Sequence, residues 1–89
     1  MYKLQIERHV ERDLKRLKKS SPAIFSRVIS HISDLKDNPR PTGVRKIVGS
    51  KSDWRISIGD YRVIYEIDDR QKAVYIFRVK HRREVYRQS

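Results

Sequence analysis

The sequence predicts an α+β fold: two N-terminal helices packed on one face of a small, mainly antiparallel four-to-five-stranded sheet, in the order β-α-α-β-β-β, with a short basic C-terminal helix or tail. Three observations predict it. Apolar residues recur at helical spacing between residues 9 and 38. From Val44 onward they alternate with polar residues, the period of a strand. Clusters of Ser, Pro, Asn, Gly and Asp fall at the joints between these blocks. With 89 residues, the chain suits a single domain over 1–89 with one small core. It is polar, at 37% hydrophobic and 37% charged, but Trp54, two Phe and five Tyr supply enough aromatic area to anchor a core.

The elements follow in order. Tyr2, Leu4 and Ile6 alternate with Lys3, Gln5 and Glu7, which reads as a half-buried strand. Between His9 and Lys19, Val10, Leu14 and Leu17 recur at i, i+4 and i+7 with basic residues around them, a first amphipathic helix. Ser21 is placed to cap a second helix and Pro22 suits its first position. Phe25, Val28, Ile29, Ile32 and Leu35 form its apolar stripe, and Asn38-Pro39-Arg40-Pro41 stops it. Strands are predicted at Val44–Val48, Trp54–Ile58, Tyr61–Ile67 and Ala73–Val79, joined by turns at 49–53, 59–60 and 68–71. The segment from His81 to Gln88 could form one or two helical turns.

Charge narrows the function. Lys plus Arg number 22 against 11 Asp plus Glu, a formal net charge of +11. Such a chain repels itself and favours an anionic partner. Nucleic acid leads, because binding phosphates releases counterions; an acidic protein partner is compatible. No apolar run is long enough to span a bilayer and nothing resembles a signal peptide, so no membrane partner is expected. There is no Cys, which removes disulfides and thiolate chemistry and suits the cytoplasm. His9, His31 and His81 are scattered without metal-ligand spacing, so neither a metal nor a cofactor is expected. His9 and His31 read as surface or packing residues.

The two-residue loop Gly59-Asp60 fixes a register. Ile58 then pairs with Tyr61, Ser57 with Arg62, and Arg55 with Ile64. Side chains alternate across a sheet, so Arg55, Ser57, Arg62 and Ile64 share one face, while Trp54, Ile56, Ile58, Tyr61, Val63 and Tyr65 share the other. The second set is the more apolar and should meet the helices. Two arginines and a hydroxyl are left together on the open face, a shallow site that is partly apolar and partly basic. Glu66 is expected on that face as a salt-bridge partner for the arginines, and Trp54 in the core. Lys80, His81, Arg82, Arg83 and Tyr86 follow the last strand, a set suited to gripping phosphate and stacking a base.

The chain resembles the RelE/ParE toxin superfamily over essentially its whole length. The resemblance rests on DLKRL at 13–17, WRISIGDYRVIYEI at 54–67 and FRVKHRREVYR at 77–87, in that order and spacing. It implies the toxin of a type II toxin–antitoxin pair, neutralised by a cognate RelB-like antitoxin, and in the RelE branch a ribonuclease that cuts mRNA in the 30S A site of the ribosome without a metal. The 2′-OH of the RNA attacks the adjacent phosphate in such cleavage, so the enzyme must stabilise added negative charge and move two protons. By the resemblance Arg62 binds the phosphate, Arg82 serves the leaving group, Tyr86 orients or stacks on the nucleotide, and Arg55 supplies a further cation. A lysine that acts as general base in the RelE pattern is replaced here by Ser57, a poor base. His81 is the natural substitute, since imidazole exchanges protons near neutral pH. Lys46, Lys51, Arg78, Lys80, Arg83 and Arg87 complete the expected RNA- and ribosome-binding set. The free toxin is expected to be a monomer that forms a hetero-oligomer with its antitoxin. Two alternatives stand beside this reading: a ParE-like inhibitor of DNA gyrase on the same fold, and a non-catalytic RNA-binding module.

Overall fold

A computed structural model describes residues 1–49 and 52–83. The chain runs β1 (Lys3–Ile6), α1 (Arg8–Ser20), α2 (Pro22–Asp34), β2 (Arg45–Lys46), β3 (Asp53–Ile58), β4 (Tyr61–Asp68) and β5 (Ala73–His81). The strands form a five-stranded sheet in the order β1-β5-β4-β3-β2. β1 lies parallel to β5 and every other pairing is antiparallel. The N-terminal strand thus reaches the far side of the sheet beside the last one, and the helical hairpin between β1 and β2 covers one sheet face.

Binary patterning accounts for the core. Val10, Leu14 and Leu17 of α1 and Val28, Ile32 and Leu35 from α2 and its C-cap are buried against Ile56, Ile58, Val63, Tyr65, Ile67, Val74, Ile76 and Val79 of the sheet. These are the predicted helical stripes and the predicted inner parity of the strands. Ser21 differs from expectation: it stands between the two helices, but its side chain makes no capping hydrogen bond. Its backbone serves both helices instead, since the N–H donates to Leu17 O and the carbonyl accepts from Phe25 N.

The end strands depart from the predicted bounds. β2 shrinks to Arg45–Lys46, because Gly49 turns the chain at φ +88° and Val48 stands 99% exposed with nothing to pack against. β5 runs two residues past Val79, to His81, because Arg62 pairs with Lys80 and Tyr61 with His81. The β3–β4 turn places its one positive φ at Gly59, the first loop position, where a type II′ turn calls for glycine.

A bulge interrupts the β4–β5 ladder. Tyr65 pairs with Ile76 but Ile64 pairs with Arg78, which leaves Phe77 without a partner. The sequence demands this break: Ile76 and Val79 are both buried and two residues separate them, one too many for strict alternation. The interruption delivers Arg78 and Lys80, rather than Val79, to the open face. It is held from the α1 side. Glu7 N donates to Ile76 O at 3.1 Å, and His9 Nε2 lies 2.7 Å from Phe77 O and donates to it.

A polar clasp joins the loop after α2 to the β4–β5 turn. Arg40 makes a two-pronged contact with Asp69, at 2.8 and 3.3 Å, and stacks over the Trp54 ring at 5.3 Å. Tyr2 donates its hydroxyl to the same carboxylate at 2.6 Å. The Arg40 guanidinium and the Tyr2 hydroxyl together hold the Asp69 carboxyl down at about 2. Beneath the clasp, buried Tyr65 donates to Pro39 O at 2.8 Å, and burial pushes its phenol well above the usual range. Among the described residues, no helix is long and apolar enough to cross a membrane.

Candidate nucleic-acid interface

The open face of the sheet presents its cations in rows. In one row Arg45 pairs with Arg55, Arg55 with Ile64, and Ile64 with Arg78 across β2, β3, β4 and β5. In the next, Ser57 pairs with Arg62 and Arg62 with Lys80. Neighbouring strands lie roughly 5 Å apart, so all of these side chains fall within reach of a single phosphodiester and its neighbours. The predicted pairings of Ile58 with Tyr61, Ser57 with Arg62 and Arg55 with Ile64 are all present. Beside the rows, Tyr75 and Phe77 line a hollow with Glu7 and Glu66, so the face is part apolar and part basic, as expected.

Arg55 and Arg62 meet no carboxylate among the described residues. Glu66 does lie on their face, paired with Asp53 and next to Tyr75. Its carboxylate, however, accepts from the Ser52 hydroxyl at 3.3 Å, and it forms no salt bridge with Arg55 or Arg62. The expected bridge fails because Glu66 lies two residues along β4 from Ile64, toward the end of the sheet away from Arg62. Among the described residues Arg55 and Arg62 have no carboxylate partner, which suits them to an anionic ligand. A guanidinium stays charged at any physiological pH and grips phosphate with two parallel N–H donors.

The remaining candidates divide. Arg78 and Lys80 join the face, and the bulge is the reason. Arg82 follows β5 directly; its N–H donates to Asp60 O at 2.6 Å, which places its backbone two residues in sequence from Arg62 at the turn end of the sheet. Arg82 and Arg83 line a hollow there with Asp60 and His81. His81 itself does not join the arginines of the open face. It pairs with Tyr61, so its ring stands on the helix-covered side, edge-on to Tyr61 at 5.2 Å and beside Asp13, Arg16 and Leu17 of α1. Its Nδ1 accepts from Arg83 N at 3.2 Å. Lys46 also falls on the other face, because it pairs with Trp54. Lys51, Tyr86 and Arg87 lie outside the described residues.

Arg45 is the site residue that sequence reasoning missed. The two-residue β2 gives no alternation to read, and only the register with β3 shows that Arg45, not Lys46, faces the site. His9 was read as bland but holds the bulge, whereas His31 makes only a local bond to Arg27 O. Among the described residues, no three His, Asp or Glu side chains gather as metal ligands would.

Two helices on one face of a five-stranded sheet, with a row of arginines on the other, fit the class of small toxins of the RelE/ParE superfamily. Comparison with known proteins gives the family. The sequence model described as "ParE toxin of type II toxin-antitoxin system, parDE" matches residues 4–86, and the chain belongs to that family. It is 34% identical over 90 residues to Toxin RelG of Mycobacterium tuberculosis, covering 97% of each chain. Among solved structures it resembles the toxin of the archaeal RelE–RelB complex of Pyrococcus horikoshii, with a TM-score of 0.78 and 30% identity over 91% of this chain and 94% of that one. It resembles likewise the RelBE2 toxin–antitoxin complex of Mycobacterium tuberculosis, with a TM-score of 0.74 and 29% identity over 91% and 98%. The protein is the toxin of a type II toxin–antitoxin system.

Proposed function

We propose that this toxin is a ribosome-dependent mRNA endonuclease of the RelE type, which works in the cytoplasm, cuts in the 30S A site and needs no metal. The observation that carries this reading is the pair Arg55 and Arg62, which no carboxylate among the described residues neutralises, on the open face with Arg45 and Lys80 as direct cross-strand neighbours. In the reaction the substrate's 2′-oxygen attacks phosphorus, the bond to the 5′-oxygen breaks, and a 2′,3′-cyclic phosphate forms. The proton leaving the 2′-OH goes to a base and the 5′-oxygen takes one up. Arg62 and Arg55 stabilise the doubly charged phosphorane. Arg82, beside the same turn, serves the leaving oxygen. His81 is the titrating group; it meets the RNA where the strand wraps round the end of β5, since it shares a hollow with Arg82. Tyr86 stacks on the nucleotide, and Arg78, Lys80, Arg83, Arg87 and Lys51 hold neighbouring phosphates, with Arg45 in the place expected of Lys46.

A RelB-like antitoxin is the proposed partner, supported by the RelB chains of the solved relatives. An acidic chain laid over the protein would offset its +11 charge. The free toxin is a monomer in this reading, and the inhibited form a hetero-oligomer.

The test is cleavage of mRNA on programmed ribosomes by purified protein, mapped by primer extension. Cuts confined to the A site are expected, abolished in the Arg62→Ala, Arg82→Ala double variant. Full cleavage by that variant would sink the reading. A second reading, inhibition of DNA gyrase, takes its support from the ParE description of the family. Expression that halts DNA synthesis before protein synthesis would favour it. Salt-sensitive RNA binding with no cleavage would leave a binding module alone.

A further inference from the structure

The last strand outruns its partner, and the His81 side chain meets the loose end. β4 begins at Tyr61, so the β4–β5 ladder closes with the Tyr61–His81 pair. Asp60 O takes one further N–H, from Arg82, at 2.6 Å. Beyond it lies the turn, and β4 offers no backbone opposite Arg83. Every backbone N–H needs an acceptor. His81 supplies this one: its Nδ1 accepts from Arg83 N at 3.2 Å. Residues 82 and 83 begin a helical turn, so the imidazole takes the part that Asn or Ser plays at a helix start.

The ring is oriented for this bond. It stands edge-on to Tyr61 at 5.2 Å, between two hollows. Asp13 and Arg16 of α1 line one of them, together with Tyr61. Asp60, Arg82 and Arg83 line the other. An imidazole accepts at Nδ1 only while that nitrogen carries no proton, so the neutral ring holds its hydrogen on Nε2. The next proton it binds goes to Nδ1. There it meets the Arg83 N–H donor against donor, and the bond is lost. Proton uptake by His81 and release of Arg83 are therefore one event. Arg82 stands between the two, next to the turn that leads into Arg62.

We infer that His81 is a positioning residue: its unprotonated Nδ1 holds the Arg83 amide and so keeps Arg82 at the turn end of the sheet, and a proton on Nδ1 lets that segment go. The consequence for cleavage rests on the reading above, in which Arg82 serves the leaving oxygen; the bond itself does not. Acid then acts on the site in two opposed ways. The added positive charge draws RNA closer, while release of the segment costs the placement of an arginine.

The experiment is amide–water exchange at Arg83, followed by NMR on the isotope-labelled full chain at about pH 8 and about pH 5, on either side of the range in which imidazoles titrate. Rates are expressed as protection relative to an unstructured amide at the same pH, and the Val79 amide reports that the sheet is intact. Three proteins are compared. The wild type is one. In His81→Asn the amide oxygen can accept where Nδ1 did and does not titrate, and His81→Ala offers no acceptor. The wild type should protect Arg83 about tenfold more at the higher pH, a ratio set by one net hydrogen bond. His81→Asn should protect it equally at both, and His81→Ala at neither. Wild-type protection that ignores pH, or an Asn variant as unprotected as the Ala variant, overturns the inference. Should His81→Ala fail to fold, the wild-type pH comparison and the Asn variant decide. In single-turnover A-site cleavage, His81→Asn should outpace His81→Ala by about tenfold, because it keeps the arginine placed. Equal rates for the two variants would overturn the link from this bond to cleavage. Absence of cleavage by the wild type would strike the proposed reaction and leave the exchange result standing.

Discussion

Arg45 and Arg55 are direct cross-strand partners on the open face of the sheet, both exposed and neither paired with a carboxylate among the described residues. Like charges placed opposite one another destabilise a sheet. The arrangement therefore favours binding an anion over stability of the empty protein.

Replacing Arg45 with Thr should separate those two effects. Thr suits a strand, and removing one charge relieves the repulsion, so the variant should gain up to about 0.5 kcal/mol in urea denaturation. Its binding to a phosphate-bearing ligand should weaken, by about tenfold for a charged contact worth roughly 1.4 kcal/mol. A variant that loses stability would show that Arg45 has a packing role.

The sequence made most of this face legible, and for a stated reason. A two-residue loop leaves one register for β3 and β4, so alternation alone puts Arg55, Ser57 and Arg62 together. Other residues were hidden by physics that alternation does not encode. The orientation of β5 depends on the bulge at Phe77, which is readable only once Ile76 and Val79 are both known to be buried. That bulge puts Arg78 in the site. His81 was grouped with the arginines because it follows the last strand in sequence, yet strand pairing continues through it and turns its ring to the helix side. Lys46 and Arg45 exchange places for a related reason: β2 is too short to show a period.

His9 is the residue whose effect on that bulge can be measured. Its Nε2 donates to the carbonyl of Phe77, which the β4–β5 ladder leaves unpaired, so His9→Leu removes that bond and leaves the acceptor to water. A cost of about 1 kcal/mol is expected in chemical denaturation. Amide exchange should quicken at Arg78 and Val79, while the β3–β4 hairpin keeps its protection. His9→Gln, which retains a donor of similar reach, should recover most of both. Uniform loss of protection across the sheet would mean that His9 supports the fold at large and not the bulge.

Asp69 sets the acid response of the clasp. Its carboxyl is lowered to about 2 by the Arg40 guanidinium and the Tyr2 hydroxyl, whereas an unfolded aspartate titrates near about 3.9. A depressed folded value means that the stabilisation is fully present above about 4 and disappears as the pH falls toward 2. Asp69→Asn should therefore melt below the wild type at pH 7, and the two melting temperatures should converge as the pH approaches 2. A gap that stays constant across that window would assign the effect to packing of Arg40 on Trp54 and not to the charge.

Ser57 offers the most direct probe of the proposed chemistry. It stands opposite Arg62 on the open face, where the RelE pattern places a lysine, and it is exposed, so a longer side chain meets no packing barrier. Ser57→Lys adds a cation directly across from Arg62, and that repulsion should cost roughly 0.2–1 kcal/mol of stability. If the 2′-OH attack is limited by proton removal and charge at the phosphate, the same lysine should raise the single-turnover rate of A-site cleavage, since it supplies both a candidate base and a third charge beside the phosphorane. The expected signature is thus a protein that is less stable and faster. A faster rate would also relieve His81, so His81→Ala should slow the Ser57→Lys variant less than it slows the wild type. If Ser57→Lys leaves the rate unchanged while RNA binding tightens, the cations of this face hold substrate, and the proton-transfer step belongs to groups at the end of β5.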